Sequence, residues 1–299
     1  MRLANERAAV RVPATTANMG PGFDSFGMAF RYYDEVEVRP VAGATHVRVE
    51  GVGEGVVPTG DDNLVVRALR AGLDAVGAPQ AGFEMRCVNR IPHGGGMGSS
   101  ASAAVAGLML ARGLLSEPQA LSDDEVFLIA TRFEGHPDNV APAVFGGATV
   151  AWMEADGKPR AAPMPVDGTL PVSLLVPPPA TRLSTEEARE VLPDSVPRAD
   201  ALFNTSRAAV LMLALAGRPE LLMAGTEDRL HQEYRRGVLP ASMAVVDSLR
   251  SQGYPAVVSG AGPTVLVLAT LSDQVCFSLE RSGWLVLSPS IDMTGAVLV

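Results

Sequence analysis

Apolar residues recur along this chain in two rhythms. Between Tyr33 and Arg39, and again between Thr45 and Glu50, they alternate with charged residues at period two, as in strands with one face in water. Two such neighbouring strands are expected to pair antiparallel. From Asp62 to Val76 the apolar positions Leu64, Val65, Ala68, Leu69, Leu73 and Val76 fall instead at helical spacing, with Asp61 or Asp62 available as the cap. A short strand, Ala8–Pro13, leads into a polar, glycine-rich turn over Ala14–Asp24, and another, Phe83–Asn89, runs into a glycine cluster. A helix of small residues over Ser99–Arg112 and an amphipathic one over Asp123–Phe133 follow.

Polar and proline-rich punctuation over Asp156–Pro171 suggests a domain boundary near residue 167. Beyond it the pattern predicts helices at Thr185–Leu192, Asp200–Ala216 and Pro240–Gln252. Strands are predicted at Val172–Val176, Ala256–Ser259, Thr264–Ala269 and Gly283–Leu287. Helices between strands point to an α+β class of sheet and helix layers. No internal repeat or heptad is present.

The 299 residues allow about two domains. A net charge of −9 and the lack of a basic tract disfavour a nucleic-acid partner. No apolar run approaches the ~20 residues that span a bilayer, and the first residues lack the apolar core of a secretory signal, so a cytoplasmic location is the expectation. Cys87 and Cys276 stand far apart with no Cys/His cluster and read as small core residues. Of 24 basic residues only Lys158 is a lysine, and it lies in the turn-like Asp156-Gly157-Lys158-Pro159. A Gly-Lys-Ser/Thr phosphate loop, a protein-kinase strand lysine and a Schiff-base lysine are all disfavoured by that position.

The strongest chemical signal is Pro92-His93-Gly94-Gly95-Gly96-Met97-Gly98-Ser99-Ser100-Ala101-Ser102-Ala103. Its glycines let backbone N–H groups converge without Cβ obstruction, and Ser99 and Ser100 open a helix whose N-terminus favours an anion. The pattern is a phosphate cradle, unless the glycines serve packing alone; it is neither a Walker loop nor a dinucleotide fingerprint.

This segment resembles the second signature of the GHMP kinases (galactokinase, homoserine kinase, mevalonate kinase, phosphomevalonate kinase), usually Pro-x-x-x-Gly-Leu-Gly-Ser-Ser-Ala-Ala. Met97 stands here for Leu and Ser102 for the second Ala. Val12–Asp24 resembles the first signature and Ser259–Thr264 the third, in the family's order. Within the family, Asn18-Met19-Gly20-Pro21-Gly22-Phe23-Asp24 and Glu134-Gly135-His136-Pro137-Asp138-Asn139 look like the homoserine kinases.

The resemblance implies a domain like ribosomal protein S5 domain 2 over residues 1–167 and a ferredoxin-like domain over 168–299. It also implies transfer of phosphate from ATP to the side-chain hydroxyl of L-homoserine, a step toward threonine. ATP would lie along Pro92, His93, Gly94, Gly95, Gly96, Met97, Gly98, Ser99, Ser100, Ala101 and Ser102, with Mg2+ at Ser100 and Glu134. Asn18 and Asp24 resemble the pair facing the substrate ammonium. Asn139, with His136 and Asp138 beside it, resembles the residue near the acceptor hydroxyl. The segments around Arg189 and Arg235 resemble those supplying the arginines for the carboxylate, with Thr185 as a third contact. Read alone, each of these arginines would more often be a solvated surface residue, and it is the motif context that reverses this preference for the pair.

An Asp24 paired with an ammonium would be a weak base. The expected mechanism therefore uses no strong protein base, and the hydroxyl proton leaves to a phosphate oxygen or to water. A homodimer is what the family suggests. Two other readings stay open: a mevalonate- or shikimate-type kinase of the same family, and a non-catalytic relative that binds nucleotide.

Overall fold

The structure, a computed structural model, describes residues 2–178 and 185–299. Its first half is built on strands β1 (Ala8–Asn18), β2 (Gly22–Val41), β3 (His46–Gly51) and β4 (Gly82–Asn89), with helices α1 (Leu64–Ala75) and α2 (Ser99–Leu114). Helices α3 (Asp123–Glu134) and α4 (Val140–Phe145) and the hairpin β5 (Ala148–Met153) and β6 (Pro159–Met164) complete it. The second half holds β7 (Ser173–Val176), α5 (Thr185–Glu190), α6 (Arg198–Leu215), α7 (Leu222–Gly225) and α8 (Pro240–Ser251). It continues with β8 (Ala256–Val258), β9 (Val265–Val267), α9 (Asp273–Arg281), β10 (Leu285–Leu287) and β11 (Val297–Leu298). Among the described residues no helix is long and apolar enough to cross a membrane.

In the first sheet the strands lie in the order β11-β1-β2-β4-β3, and β5 pairs with the start of β2 and carries β6 at its edge. The antiparallel pairing expected of the two alternating strands does not occur. β4 lies between them, antiparallel to β2, and β3 runs parallel to β4. The connection explains this, because α1 crosses over between β3 and β4, and a crossover returns the chain in the same direction. Nor is Ala14–Asp24 a loop. β1 continues to Asn18 and the turn is only Met19–Pro21, because Ala14, Thr15 and Thr16 are fully buried and find ladder partners in Phe30, Ala29 and Met28. The cap of α1 is Asn63 rather than Asp61 or Asp62, its side chain accepting the N–H of Val65.

Helices α1 to α4 cover one face of this sheet over an apolar core. β6 falls inside the stretch read as punctuation. Its Pro159 and Pro163 are tolerated because β6 pairs only with β5 and stands at an edge.

The second sheet has the order β10-β7-β9-β8, all neighbours antiparallel. With helices between β7 and β8 and between β9 and β10, this is the ferredoxin-like topology. Its strands β7, β8 and β9 are short and almost wholly apolar because both their faces are covered, whereas β10, at one edge, leaves Leu285 exposed. Leu174, Val257 and Leu266 enter a core shared with β1, β2 and α6, while Leu175, Val258 and Val265 meet α8 and the segment around Trp284. The chain ends by returning to the first sheet, where β11 pairs with β1.

Candidate active site

The glycine segment leaves β4 under the control of a buried carboxylate. Asp34, on β2, accepts the N–H of Arg90 at 2.6 Å and of Ile91 at 2.9 Å, which fixes where the loop begins. Two glycines then have no alternative. Gly96 and Gly98 have φ of +76° and +67°, and a Cβ at Gly96 would stand 2.3 Å from the Ser259 carbonyl oxygen. At Gly98 it would stand 1.9 Å from Thr15 Oγ1. Gly98 precedes α2 without a side-chain cap, so the N–H groups of the first turn, at Ser99 and Ser100, stay available to an anion.

The three signature segments converge here from distant parts of the sequence. Thr15 N–H donates to the Met97 carbonyl, Gly260 N–H to Ala17 and Thr264 N–H to Gly95. Ser259 Oγ donates to the Gly96 carbonyl at 2.6 Å and lies 2.7 Å from Thr16 Oγ1, which is therefore the donor of that pair. The cleft they enclose is lined by Asn18, Asp24, Gly94–Gly96, Gly98–Ser100, Glu134, His136, Asp138, Asn139, Arg189, Arg235 and Gly260–Gly262.

At one end Ser100 Oγ donates to Glu134 Oε1 at 2.5 Å. Burial lifts the Glu134 carboxyl above its usual pKa, and the Ser100 hydrogen bond offsets only part of this. Among the described residues no cluster of three or more His, Cys, Asp or Glu side chains forms a metal cage. One hydroxyl and one carboxylate nevertheless suit Mg2+, which takes oxygen ligands, keeps several waters and shares phosphate oxygens.

Beyond Gly135, His136 Nδ1 lies 2.6 Å from Asp138 Oδ1, which also accepts the Asn139 N–H at 2.8 Å. Burial by itself lowers the His136 pKa, but the hydrogen bond and charge of Asp138 outweigh it and hold the ring above its usual value. Thr15 Oγ1 donates to Asn139 Oδ1 at 2.9 Å, which leaves the Asn139 Nδ2 as the free end of the amide.

The opposite wall carries charge of both signs. Asp24, at φ +54°, receives a bidentate pair from Arg189 at 3.0 and 2.6 Å. Arg235 is only 2% exposed; its Nε donates to the Ala188 carbonyl at 3.0 Å and its Nη1 to His231 Nδ1 at 3.0 Å. Burial and the Arg189 charge lower its pKa to about 10, so it remains a cation at neutral pH. The Phe23 ring lies 6.0 Å from the Arg189 guanidinium and 5.5 Å from that of Arg235.

Sequence reasoning therefore names residues that do meet in one cleft, though several are engaged differently than expected. Both ends of the Asn18 amide are used within the protein: Nδ2 donates to the Gly260 carbonyl and Oδ1 accepts the Asp24 N–H. Met97 is buried in the shared core, Ala101 is buried, and Ser102 donates to the Pro13 carbonyl at 2.8 Å, pinning α2 to β1. Thr185 opens α5, but its side chain lies outside the described residues. His93 lines a neighbouring cavity on the far side of Ser99 and Ser100, with Val57, Asn63, Leu64, Val65 and Cys87. Burial pushes the Cys87 thiol up to about 12, so it stays protonated there. Phe23, Thr15, Ser259 and His231 were not singled out. Thr15, Phe23 and Ser259 lie inside the signature segments and His231 four residues before Arg235, but nothing local assigns any of them a role.

Known proteins resemble this chain over nearly its whole length. Residues 63–147 match the GHMP kinases N terminal domain and residues 210–279 the GHMP kinases C terminal model. A homoserine kinase of Clavibacter michiganensis subsp. michiganensis is 47% identical over 98% of this chain and 94% of its own. One of Streptomyces avermitilis is 47% identical over 96% and 94%. The crystal structure of homoserine kinase from Cytophaga hutchinsonii superposes with a TM-score of 0.83 at 24% identity, covering 99% of this chain and 98% of that one.

Proposed function

Because the chain belongs to the GHMP kinase family, we propose that it transfers the γ-phosphoryl group of ATP to the side-chain hydroxyl of L-homoserine, giving O-phospho-L-homoserine and ADP. The observation that carries the choice of acceptor is the Asp24–Arg189 pair beside Arg235, across the cleft from the phosphate loop. An α-amino acid is a zwitterion. Its ammonium takes the place of Arg189 on Asp24 and its carboxylate the place of Asp24 on Arg189, with Arg235 as a second guanidinium. A hydroxy acid without an amine would leave Asp24 facing a carboxylate.

The glycine loop and the first N–H groups of α2 hold the phosphates, and the cavity lined by Val57, Asn63 and Leu64 is suited to the nucleoside. Ser100 and Glu134 would hold Mg2+, which when bound neutralises charge on the phosphate oxygens. Asn18 sets the backbone of Asp24, and Asn139 offers Nδ2 to the acceptor hydroxyl. His136, kept charged by Asp138 over a wider pH range than a free histidine, adds a positive group beside the transferring phosphoryl. Asp24, committed to a cation, is a poor base, so the hydroxyl proton departs to a phosphate oxygen or to water.

The test is ADP release from Mg-ATP with L-homoserine, mevalonate, shikimate or galactose as acceptor. The expected result is the highest kcat/KM with L-homoserine. Preference for mevalonate would overturn the amino-acid reading, and nucleotide binding without turnover on any acceptor would favour a binding-only relative.

A further inference from the structure

Behind the substrate wall lies a fully buried histidine that does not itself line the cleft. We propose that His231 is a positioning residue, a neutral imidazole with its hydrogen on Nε2 that fixes the Arg235 guanidinium in the cleft. The proposal rests on the reading of Arg235 as a binder of the substrate carboxylate.

The tautomer follows from the partners. A guanidinium has only donors, so the 3.0 Å contact of Arg235 Nη1 with His231 Nδ1 requires a lone pair on that nitrogen. The ring hydrogen is then on Nε2, where it donates to the Gly20 carbonyl at 2.8 Å. Both nitrogens are used, and a second proton would have to point at a cation. Full burial and the charge of Arg235 work in that direction, against Asp228 Oδ2 at 3.6 Å from Nε2, and the His231 pKa lies below its usual value.

The ring also stacks on Phe23, with centroids 5.0 Å apart and planes at 19°, and Asp228 accepts the backbone N–H of His231. One imidazole thus joins the turn of the first signature, through Gly20 and Phe23, to the arginine of the second half. Without an acceptor at Nδ1, the Arg235 Nη1 keeps only the longer 3.3 Å contact with the Gly260 carbonyl. The buried guanidinium can then leave the orientation that faces the substrate.

Two substitutions separate the two nitrogens. An amide at the end of Gln reaches the Nε2 position and can still donate to Gly20, whereas Asn presents its oxygen where Nδ1 stood and can still accept from Arg235. In His231→Gln the KM for L-homoserine should rise about tenfold, with kcat and the KM for ATP within about twofold of the unaltered enzyme. His231→Asn should stay within about threefold on all three. Equal losses in both variants, or parallel rises in both KM values, would mean a merely structural role and overturn the proposal.

The tautomer can be read on the unaltered protein by 15N NMR of its four histidines. One ring should show a protonated Nε2 and a bare Nδ1 at neutral pH; finding no such ring would overturn the assignment whether or not the variants fold. Arg235→Ala serves as the control. If it leaves the homoserine KM unchanged, the reading of Arg235 falls and this proposal with it. If Arg235→Ala raises that KM while His231→Gln does not, only the role of His231 falls.

Discussion

Asp24 holds a left-handed backbone conformation at φ +54°, uncommon for a residue with a side chain, and its N–H is held by Asn18. What this conformation secures is the direction of one carboxylate, and Arg189 already occupies it. Asp24→Asn keeps the shape and removes the charge. The KM for L-homoserine should rise roughly tenfold or more while kcat changes little, since a charge-assisted contact made equally in ground and transition states is lost. Initial-rate kinetics decide this, and a large fall in kcat with unchanged KM would point to Asp24 as a base. At this scale much of the site was legible. Asn18, Asp24, Ser100, Glu134 and Asn139 were legible through the family resemblance of the segments that carry them, not through spacing alone. Thr15, Ser259 and His231 were not, because each acts through a partner far away in sequence: Thr15 on Asn139, Ser259 on Gly96 and His231 on Gly20.

Between β2 and the phosphate loop the joint is Asp34. It is 7% exposed, and burial raises its pKa from 3.8 to about 6 despite the two N–H groups it accepts. Between those values the folded chain binds the proton more tightly than the unfolded one, so stability contributed by this group at low pH is lost as pH rises through that window. Asp34→Asn keeps an oxygen for the N–H groups of Arg90 and Ile91 and has no charge to bury. The variant should match the unaltered protein near pH 4 and exceed it by on the order of 2–3 kcal/mol at pH 7, measured by urea unfolding. Equal pH dependence in both proteins would rule out this role.

The same strand shows why some elements escaped the sequence pattern. Only Tyr33–Arg39 of β2 alternates, because Met28, Ala29 and Phe30 are all buried and the strand there is covered on both faces. β6 was hidden by its prolines, whose edge position cannot be known before the pairing is. The strands β7, β8 and β9 were legible as short apolar runs bounded by Pro and Gly.

Over the whole molecule the net charge of −9 is answered in the cleft by Arg189 and Arg235, which stand among Asp24, Glu134 and Asp138 and are both supplied by the second half to a phosphate loop and acids supplied by the first. A boundary near residue 167 therefore passes through the site, and the core does not respect it either. Met19, Phe26, Met28 and Met97 share one apolar cluster with Leu174, Leu211, Val257 and Leu266, and β11 closes the first sheet from the far end of the chain. Neither half can expose its share of that cluster without uncovering the other, so unfolding should be a single cooperative transition. The chain carries one tryptophan in each half, Trp152 on β5 and Trp284 just before β10. In Trp284→Phe only the first half reports by fluorescence, and in Trp152→Phe only the second. The expected result, after correcting each variant to its own circular-dichroism midpoint, is coincident transitions in urea. Saturating L-homoserine at about a hundredfold over its Kd should move both reporters together, by about 2.7 kcal/mol. Separate midpoints, or a ligand shift seen by one tryptophan alone, would show that the halves are held together more weakly than their shared core requires.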